Sequence, residues 1–548
     1  MASSSSLLDD SRAQSGSHRR YVALASQTQS DAAANASSSS STLASDEDEA
    51  PLVTERHQRR CSGGSAYVSA GLLCLVNLLN YADRSTVAAV LHRIKSSFKV
   101  DFKDSGLLQT CFILSYMMLC PIFGYLGDRG QPGRLLFSRK GIMLLGVCLW
   151  SGITLASSFV PNSMFGLLLV SRSLVGVGEA SYATVSAPII ADLFAHDART
   201  WALILFNLQV PFGTGVGFVI GQLVSDATDS WNWALRVTSP LGLLCVILLA
   251  VCFREPRRGQ SEGPAATAAA AAAAINPSRW LDDLRALSKI STFVLTTLGL
   301  SSVSFVTGAL ALWTPEMLRL SVLSRGGSQS EAGSTTLVFG VLTCLAGIFG
   351  VIGGTELARR LRRRTARADP LVCAGGLMLS VPFLMATLLT VRSYLVLGYA
   401  FIFLTELALF TNWALVTDMC MRVCLPSLRA TATGLSLLSS HLLGDATSPY
   451  LLGLLTDWFR AGGSDSYYRQ FIALRRAMYL GLFVLVAGSA AFMACAIRYP
   501  EDCRRVAKIE EAALIAAANN RCLDDEDDGE TGNEGESERL VAAAATVA

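Results

Sequence analysis

The sequence predicts an all-α membrane protein with twelve transmembrane helices in two repeated six-helix bundles. Three observations carry this. Of 548 residues, 51% are hydrophobic and only 16% charged, against about 25% charge in soluble globular chains, so charge is depleted while apolar mass is kept. A run of about 20 apolar residues crosses a bilayer core, and twelve such runs follow one another from Ala66. They divide six and six around a polar linker.

Taken in order, residues 1–64 are rich in Ser, Ala, Gln and Asp without apolar periodicity, the composition of a disordered tail. Within it Asp48 to Val53 (DEAPLV) approaches an acidic dileucine-type sorting signal, but Val53 replaces the final Leu or Ile, and the stretch reads more readily as a solvated acidic patch. The first residues lack a basic segment followed by an apolar one, so no cleaved signal peptide is expected and the first span is left to target the chain. The N-terminal bundle, 65–253, holds spans near 66–91, 105–127, 141–160, 165–190, 201–225 and 234–253. The linker, 254–291, carries an alanine tract too short and too weakly apolar to span, then a mixed segment, Trp280 to Lys289, that suits a short interfacial helix. The C-terminal bundle, 292–498, holds spans near 292–318, 335–356, 370–391, 394–418, 430–455 and 475–497. Residues 499–548 alternate basic and acidic blocks and read as a mostly disordered tail.

Short loops orient the chain, because Lys and Arg favour the cytosolic side. Loop 2/3 carries Arg129, Arg134, Arg139 and Lys140, and loop 8/9 carries six arginines between Arg359 and Arg367. Loop 1/2 dissents with Arg93, Lys95, Lys99 and Lys103. The balance predicts cytosolic termini. Spans 2 and 8 both end in glycines and an acid before a basic loop, and Arg199 and Arg429 precede spans 5 and 11 at corresponding points. Repeated halves of this kind belong to carriers more than to receptors or membrane enzymes.

Composition also excludes. A net charge of +2 argues against a strongly basic nucleic-acid binder. Nine of the 14 cysteines lie in apolar runs without metal-ligand spacing, so they read as small buried hydrophobes and no metal or cofactor is expected. The zinc-protease HExxH, the hydrolase GxSxG and the Walker GxxxxGK[ST] patterns are absent. No enzyme is predicted.

The chemistry sits in charges inside apolar helices, each costing about 2.5–3.5 kcal/mol at a helix centre. Span 1 carries Asp83 and Arg84, and span 4 carries Arg172 and Glu179, seven residues apart and so on one face. The four make a near-neutral cluster that turns cationic on taking a proton; the alternative is a set of pairs that only fixes packing. Spans 5 and 8 carry stripes of glycine that let helices approach closely. In the second half Glu406, Asn412, Asp418, His441 and Asp445 interrupt apolar runs, and His441 and Asp445 are four apart on one helix face. That pair reads as titratable or as a structural hydrogen bond.

These residues resemble the spinster-like lipid transporters of the major facilitator superfamily. The matching stretches include NYADRSTVAAVL from Asn80, IFGYLGDR from Ile122, SRSLVGVGEASYATVSAPIIADLF from Ser171, FVTGALALWTP from Phe305, NWALVTDM from Asn412 and SHLLGDATSPYLLGL from Ser440, and the likeness runs from about 66 to 498. The resemblance implies the major facilitator fold, a central cavity alternating between membrane sides, and export of a lysophospholipid or sphingosine 1-phosphate with proton coupling. It implies a lysosomal, late endosomal or plasma membrane home. By the same resemblance Asp83, Glu179 and His441 are candidates for proton handling, and Arg84, Arg172, Ser181, Tyr182, Thr307, Glu406 and Asn412 for the substrate. Asp128, Arg129 and Arg134 match the superfamily's cytosolic gating motif. Two features depart from it: the gating loop is longer than the usual DR-x-x-R/K spacing, and Ser85 stands where members often carry an aromatic. A lysolipid and protons are therefore the expected partners, in a lipid bilayer and without nucleic acid; a small organic anion carrier and a lipid-sensing receptor are the alternatives.

Overall fold

A computed structural model describes residues 51–129, 138–194, 196–256, 280–424, 428–461 and 466–526. Every regular element among the described residues is helical. Eleven helices are long and apolar enough to cross a membrane. In the N-terminal half, spans 1 to 6 lie in helices Pro51–Ala89, Phe102–Arg129, Arg139–Ser157, Phe165–Leu193, His196–Thr228 and Trp231–Cys252. In the C-terminal half, spans 7 to 10 lie in Ser291–Leu323, Gln329–Arg362, Ala368–Thr390 and the pair Leu395–Phe410 and Asn412–Arg422. Span 12 lies in Tyr467–Glu526.

Span 11 completes the set of twelve in two pieces, Arg429–Leu443 and Ser448–Arg460, each too short to cross alone. The sequence sets the break. Pro449, without an N–H, is tolerated in the first turn of a helix, where no intrahelical partner is lost. Gly444 supplies the other requirement, since a Cβ there would lie 2.5 Å from Ser304 Cβ and 2.8 Å from the Phe305 nitrogen of span 7. Broken backbone at membrane depth survives only where protein covers it.

Two helices pass the edges of their apolar runs. The helix of span 1 starts at Pro51, ahead of Ala66, and that of span 12 continues through Pro500 to Glu526 instead of ending near 498. Polar composition ends a membrane span but not a helix, and the last stretch, DCRRVAKIEEAALIAAANNR, is rich in good helix formers. Helix Trp280–Ser288 falls where the interfacial segment is expected. The tail before Pro51, the alanine tract and Arg134 lie outside the described residues.

Residues Val68–Arg257 and Ser278–Ala548 make one compact unit that contains both halves. The halves meet along two seams at the end of the bundle opposite loop 8/9. In the first, Gly215 of span 5 faces Gly340 of span 8, so closely that a Cβ on Gly215 would sit 2.7 Å from the Gly340 carbonyl oxygen. In the second, Gly106 of span 2 lies under the Pro449 carbonyl and Gly453 of span 11 under that of Phe102. Asp457 of span 11 accepts the backbone N–H of Lys103 at 2.7 Å and of Phe102 at 3.3 Å, capping span 2 from the other half. Arg460 pairs with Asp101 beside it. The glycine stripes thus divide their work: Gly213 and Gly217 receive span 1, Gly215 receives span 8, and Gly350 and Gly354 receive span 10.

Candidate functional site

Adjacent residues on a helix point about 100° apart, so Asp83 and Arg84 reach different neighbours. Asp83 turns toward spans 3 and 6. Its carboxylate accepts Trp150 Nε1–H at 3.1 Å, Thr154 Oγ1–H at 3.1 Å and Thr238 Oγ1–H at 2.8 Å, at 2% exposure. Three neutral donors satisfy it, and no arginine bonds to it directly.

Arg84 turns toward spans 2 and 4. Its Nε donates to Glu179 Oε2 at 2.7 Å, and its guanidinium carbon lies 5.0 Å from the Tyr81 ring centroid and 4.8 Å from those of Phe112 and Tyr116. Three aromatic faces therefore cage the cation while one carboxylate holds it. The Arg84 side chain keeps 15% exposure and Glu179 none. The seven-residue spacing does bring Arg172 and Glu179 to one face, yet the partner Glu179 bonds is Arg84 of span 1.

Arg172 is the unusual group. At 1% exposure, its Nε, Nη1 and Nη2 all lack a hydrogen-bond partner, and its guanidinium carbon lies 5.0 Å from the Phe112 ring centroid. Asp83, Glu179 and Arg84 lie within electrostatic reach of it. Phe112 thus stands between two guanidinium groups, one held and one open. Glu179 Oε1 is also without a hydrogen bond. Buried donors without acceptors are costly, at about 1–3 kcal/mol each and more for charged groups.

The opposite wall comes from the broken span 11. His441 Nδ1 lies 2.8 Å from Asp445 Oδ1, with the Trp413 ring 6.2 Å away. The pair forms although the helix stops at Leu443, so Asp445 sits in the break and not on a continuous helix face. It packs on Gly308 of span 7, where a Cβ would lie 2.4 Å from its own, and interacts electrostatically with Tyr81 of the other half. Tyr81 therefore links the caged Arg84 to the His441–Asp445 pair.

The remaining candidates separate. Glu406 is 5% exposed with Oε2 unpartnered, which suits a ligand-facing carboxyl. Asn412 serves the break in span 10: its Nδ2 donates to the Leu409 carbonyl at 3.0 Å and its Oδ1 is unpartnered. Thr307 is half-buried and donates to the Val303 carbonyl of its own helix at 3.0 Å. Ser181 and Tyr182 do not face the arginines. Ser181 donates to the Gly178 carbonyl at 2.8 Å and packs on Gly146 of span 3, while Tyr182 donates to the Leu73 carbonyl of span 1 at 2.6 Å. Both are fixed by interhelix packing inside the N-terminal half. Asp128 and Arg129 end the span 2 helix with side chains outside the described residues, as is all of Arg134. In loop 8/9 Arg362 bonds Asp369 at 2.6 Å and Asp418 at 2.5 Å.

Sequence reasoning missed the aromatic cage and the Asp83 donors. Tyr81 lies three residues before Arg84, and Phe112 and Tyr116 are four apart, so their helix spacing was available as a signal. The partners from spans 3 and 6 had none. Among the described residues no cluster of His, Cys, Asp and Glu can hold a metal. What the site offers is an open guanidinium, a carboxyl-held guanidinium and ionisable side chains from both halves.

Two six-helix halves closing over buried charges define a major facilitator carrier, and the Major Facilitator Superfamily model matches residues 73–449. The chain belongs to the spinster family of that superfamily. It is 45% identical over 465 residues to human "Protein spinster homolog 1", covering 84% of this chain and 86% of that protein. It is 40% identical over 468 residues to the "Sphingosine-1-phosphate transporter SPNS2" of Xenopus tropicalis, covering 84% and 88%. Among solved structures it resembles a bacterial homologue of the human lysosomal transporter spinster, inward-facing and unoccupied, with a TM-score of 0.67 at 21% identity over 80% of this chain and 98% of that one. A D-xylose–proton symporter follows at a TM-score of 0.55 and 16% identity, covering 76% and 97%. The protein is a multi-pass membrane carrier and not an enzyme.

Proposed function

We propose that the chain carries an amphipathic lysolipid, a lysophospholipid or sphingosine 1-phosphate, by alternating access coupled to protons. The observation that carries this is Arg172, a fully buried guanidinium with no hydrogen-bond acceptor. A guanidinium fork matches phosphate oxygens bidentately, and its charge is worth most where water is excluded. The aromatic faces of Tyr81, Phe112 and Tyr116 around Arg84, the Phe112 ring shared with Arg172, give an apolar wall suited to a single chain. The name of the Xenopus relative, a sphingosine-1-phosphate transporter, supports a phosphate-bearing lysolipid.

Glu179 supplies the coupling. Ionised, it holds Arg84 at 2.7 Å; protonated, it loses most of that hold and frees Arg84 for the headgroup. Asp83, satisfied by Trp150, Thr154 and Thr238, keeps the electrostatic balance around Arg172. The His441–Asp445 pair, facing Tyr81, gives the second half its own proton-exchanging group. Reconstituted protein in liposomes, offered a panel of lysolipids with and without a pH gradient, tests the reading. Saturable flux of a phosphate-bearing lysolipid that the gradient accelerates is expected. Flux of small organic anions without lysolipid flux, or binding without flux, overturns it.

A further inference from the structure

Loop 1/2 places an unusual number of cations at the end where the halves close, and the structure gives most of them partners. Helix Leu91–Phe98 connects span 1 to span 2 across this end. Arg93 bonds Asp226 at 3.1 Å and Asp229 at 2.5 Å, both beyond the end of span 5 or in its last turns. Lys95 lies over the Phe102 ring, and Lys103 approaches Asp104 at 3.9 Å. His92 differs from them. Its ring makes no hydrogen bond among the described residues, and it lines a small cavity between the halves with Ala88 and Ala89 on its own side and Pro315, Glu316, Arg319 and Thr336 on the other.

The far wall of that cavity is already complete. Arg319 Nε donates to Glu316 Oε2 at 2.8 Å and its Nη2 to Oε1 at 2.9 Å, a bidentate pair with the Glu316 side chain 3% exposed. Glu316 thus offers His92 little spare capacity, while Arg319 presents a positive charge to it. The charged groups facing His92 are Arg319 and Glu316 from span 7, Asp226 from span 5 and Arg93 from its own helix; Thr336 of span 8 faces the cavity as a neutral group. Lys95, one turn on, faces the same Glu316.

We infer that His92 is a proton-sensing site that favours separation of the two halves at this end when its side becomes acidic. The geometry is a partly exposed imidazole set between the halves, beside a salt bridge that needs no third member. Burial, then the Arg319 charge, push the closed-state pKa of His92 down to about 4, with Glu316 and Asp226 opposing and Arg93 adding to the fall. Separation of the halves returns the ring to water, where an imidazole has a pKa of about 6.5. The separated state then binds the proton more tightly than the closed one. Closure is therefore fully favoured above about pH 6.5 and weakens as pH falls from there toward about 4. At pH 5 the difference amounts to a shift of up to about 30-fold toward the separated state. Burial lowers Lys95 only to about 8, so between pH 4 and 6.5 it stays protonated and sets the field at Glu316 without switching it.

The inference rests on alternating access but not on the identity of the cargo, and its test uses no lysolipid. Thr336→Cys places a thiol in the cavity, where Thr336 is 3% exposed, and Ser334→Cys on the exposed side of the same helix corrects for the pH dependence of alkylation itself. Peptide-resolved alkylation of the full chain in lipid nanodiscs is compared at pH 7.5 and pH 5. The corrected rate at the cavity thiol is expected to rise by about 10- to 30-fold on acidification. His92→Gln, uncharged at both pH values, is expected to keep it low and flat, and His92→Lys to keep it high at both. Retention of the full rise in His92→Gln, or His92→Lys labelling no faster than the parent at pH 7.5, overturns the inference. Lysolipid flux is measured separately, so a failure of the cargo assignment leaves this result readable.

Discussion

Glu179→Gln isolates the coupling step. The substitution keeps size and one acceptor oxygen but removes the charge that holds Arg84 at 2.7 Å. Removing one partner of a buried ion pair costs about 3–5 kcal/mol when the remaining charge has nowhere to go. Here Arg84 keeps 15% exposure and three aromatic faces, each cation–ring contact contributing about 0.5–2 kcal/mol, so a net loss near 2 kcal/mol is expected. That corresponds to a roughly 30-fold weaker hold on the Arg84-bound arrangement. The variant should therefore behave as though permanently protonated: gradient-driven uptake in proteoliposomes falls by at least about tenfold and its pH dependence flattens. Exchange of labelled lysolipid across a membrane without a gradient should survive, since exchange needs no net proton. Full gradient-driven uptake with an unchanged pH profile would refute the reasoning, and the Arg84–Glu179 pair would then be a packing element.

Three further outcomes follow from the geometry. Arg172→Lys keeps the charge but loses the fork, and lysolipid flux should fall by about tenfold or more because bidentate phosphate contact is lost; flux equal to the parent counts against a headgroup at Arg172. Asp83→Asn turns an amide N–H2 toward the donors Trp150, Thr154 and Thr238, so the thermal midpoint should fall with about 1–3 kcal/mol of stability while the pH response outlasts that of Glu179→Gln; loss of the pH response with unchanged stability would reverse the roles of the two acids. Gly215→Ala places a Cβ 2.7 Å from the Gly340 oxygen and 2.8 Å from Cys344 Cβ, overpacking of about 1–3 kcal/mol that should favour separation of the seam and speed alkylation of a thiol at Thr336→Cys about tenfold at pH 7.5; unaltered labelling would place the cost elsewhere.

Ser181 and Tyr182 show where motif reasoning stops. The GEASY string that marks the family also holds the span 3–span 4 and span 1–span 4 contacts, so part of its specificity concerns packing. Loop 1/2 teaches the reverse. Its cations contradict the simple charge count for orientation, yet Arg93 is bound to Asp226 and Asp229, so it acts at the closing end of the bundle.

The sequence by itself determined the membrane character, the division into halves and the presence of Asp83, Arg84, Arg172 and Glu179 inside apolar helices. Each follows from a cost the bilayer imposes along the chain: length to cross it, and charges tolerated only where something shields them. It also carried the glycine stripes, because close helix approach is written in residue size. The tertiary structure alone decided which charge meets which. Whether Glu179 bonds Arg172 on its own helix or Arg84 on another depends on helix rotation and on the rings of span 2, neither of which spacing along one helix contains. Likewise Asp83 could be given its donors, and span 11 its break against Ser304 and Phe305, only by helices far away in the chain. Periodicity fixes the face a residue occupies; packing fixes what that face encounters.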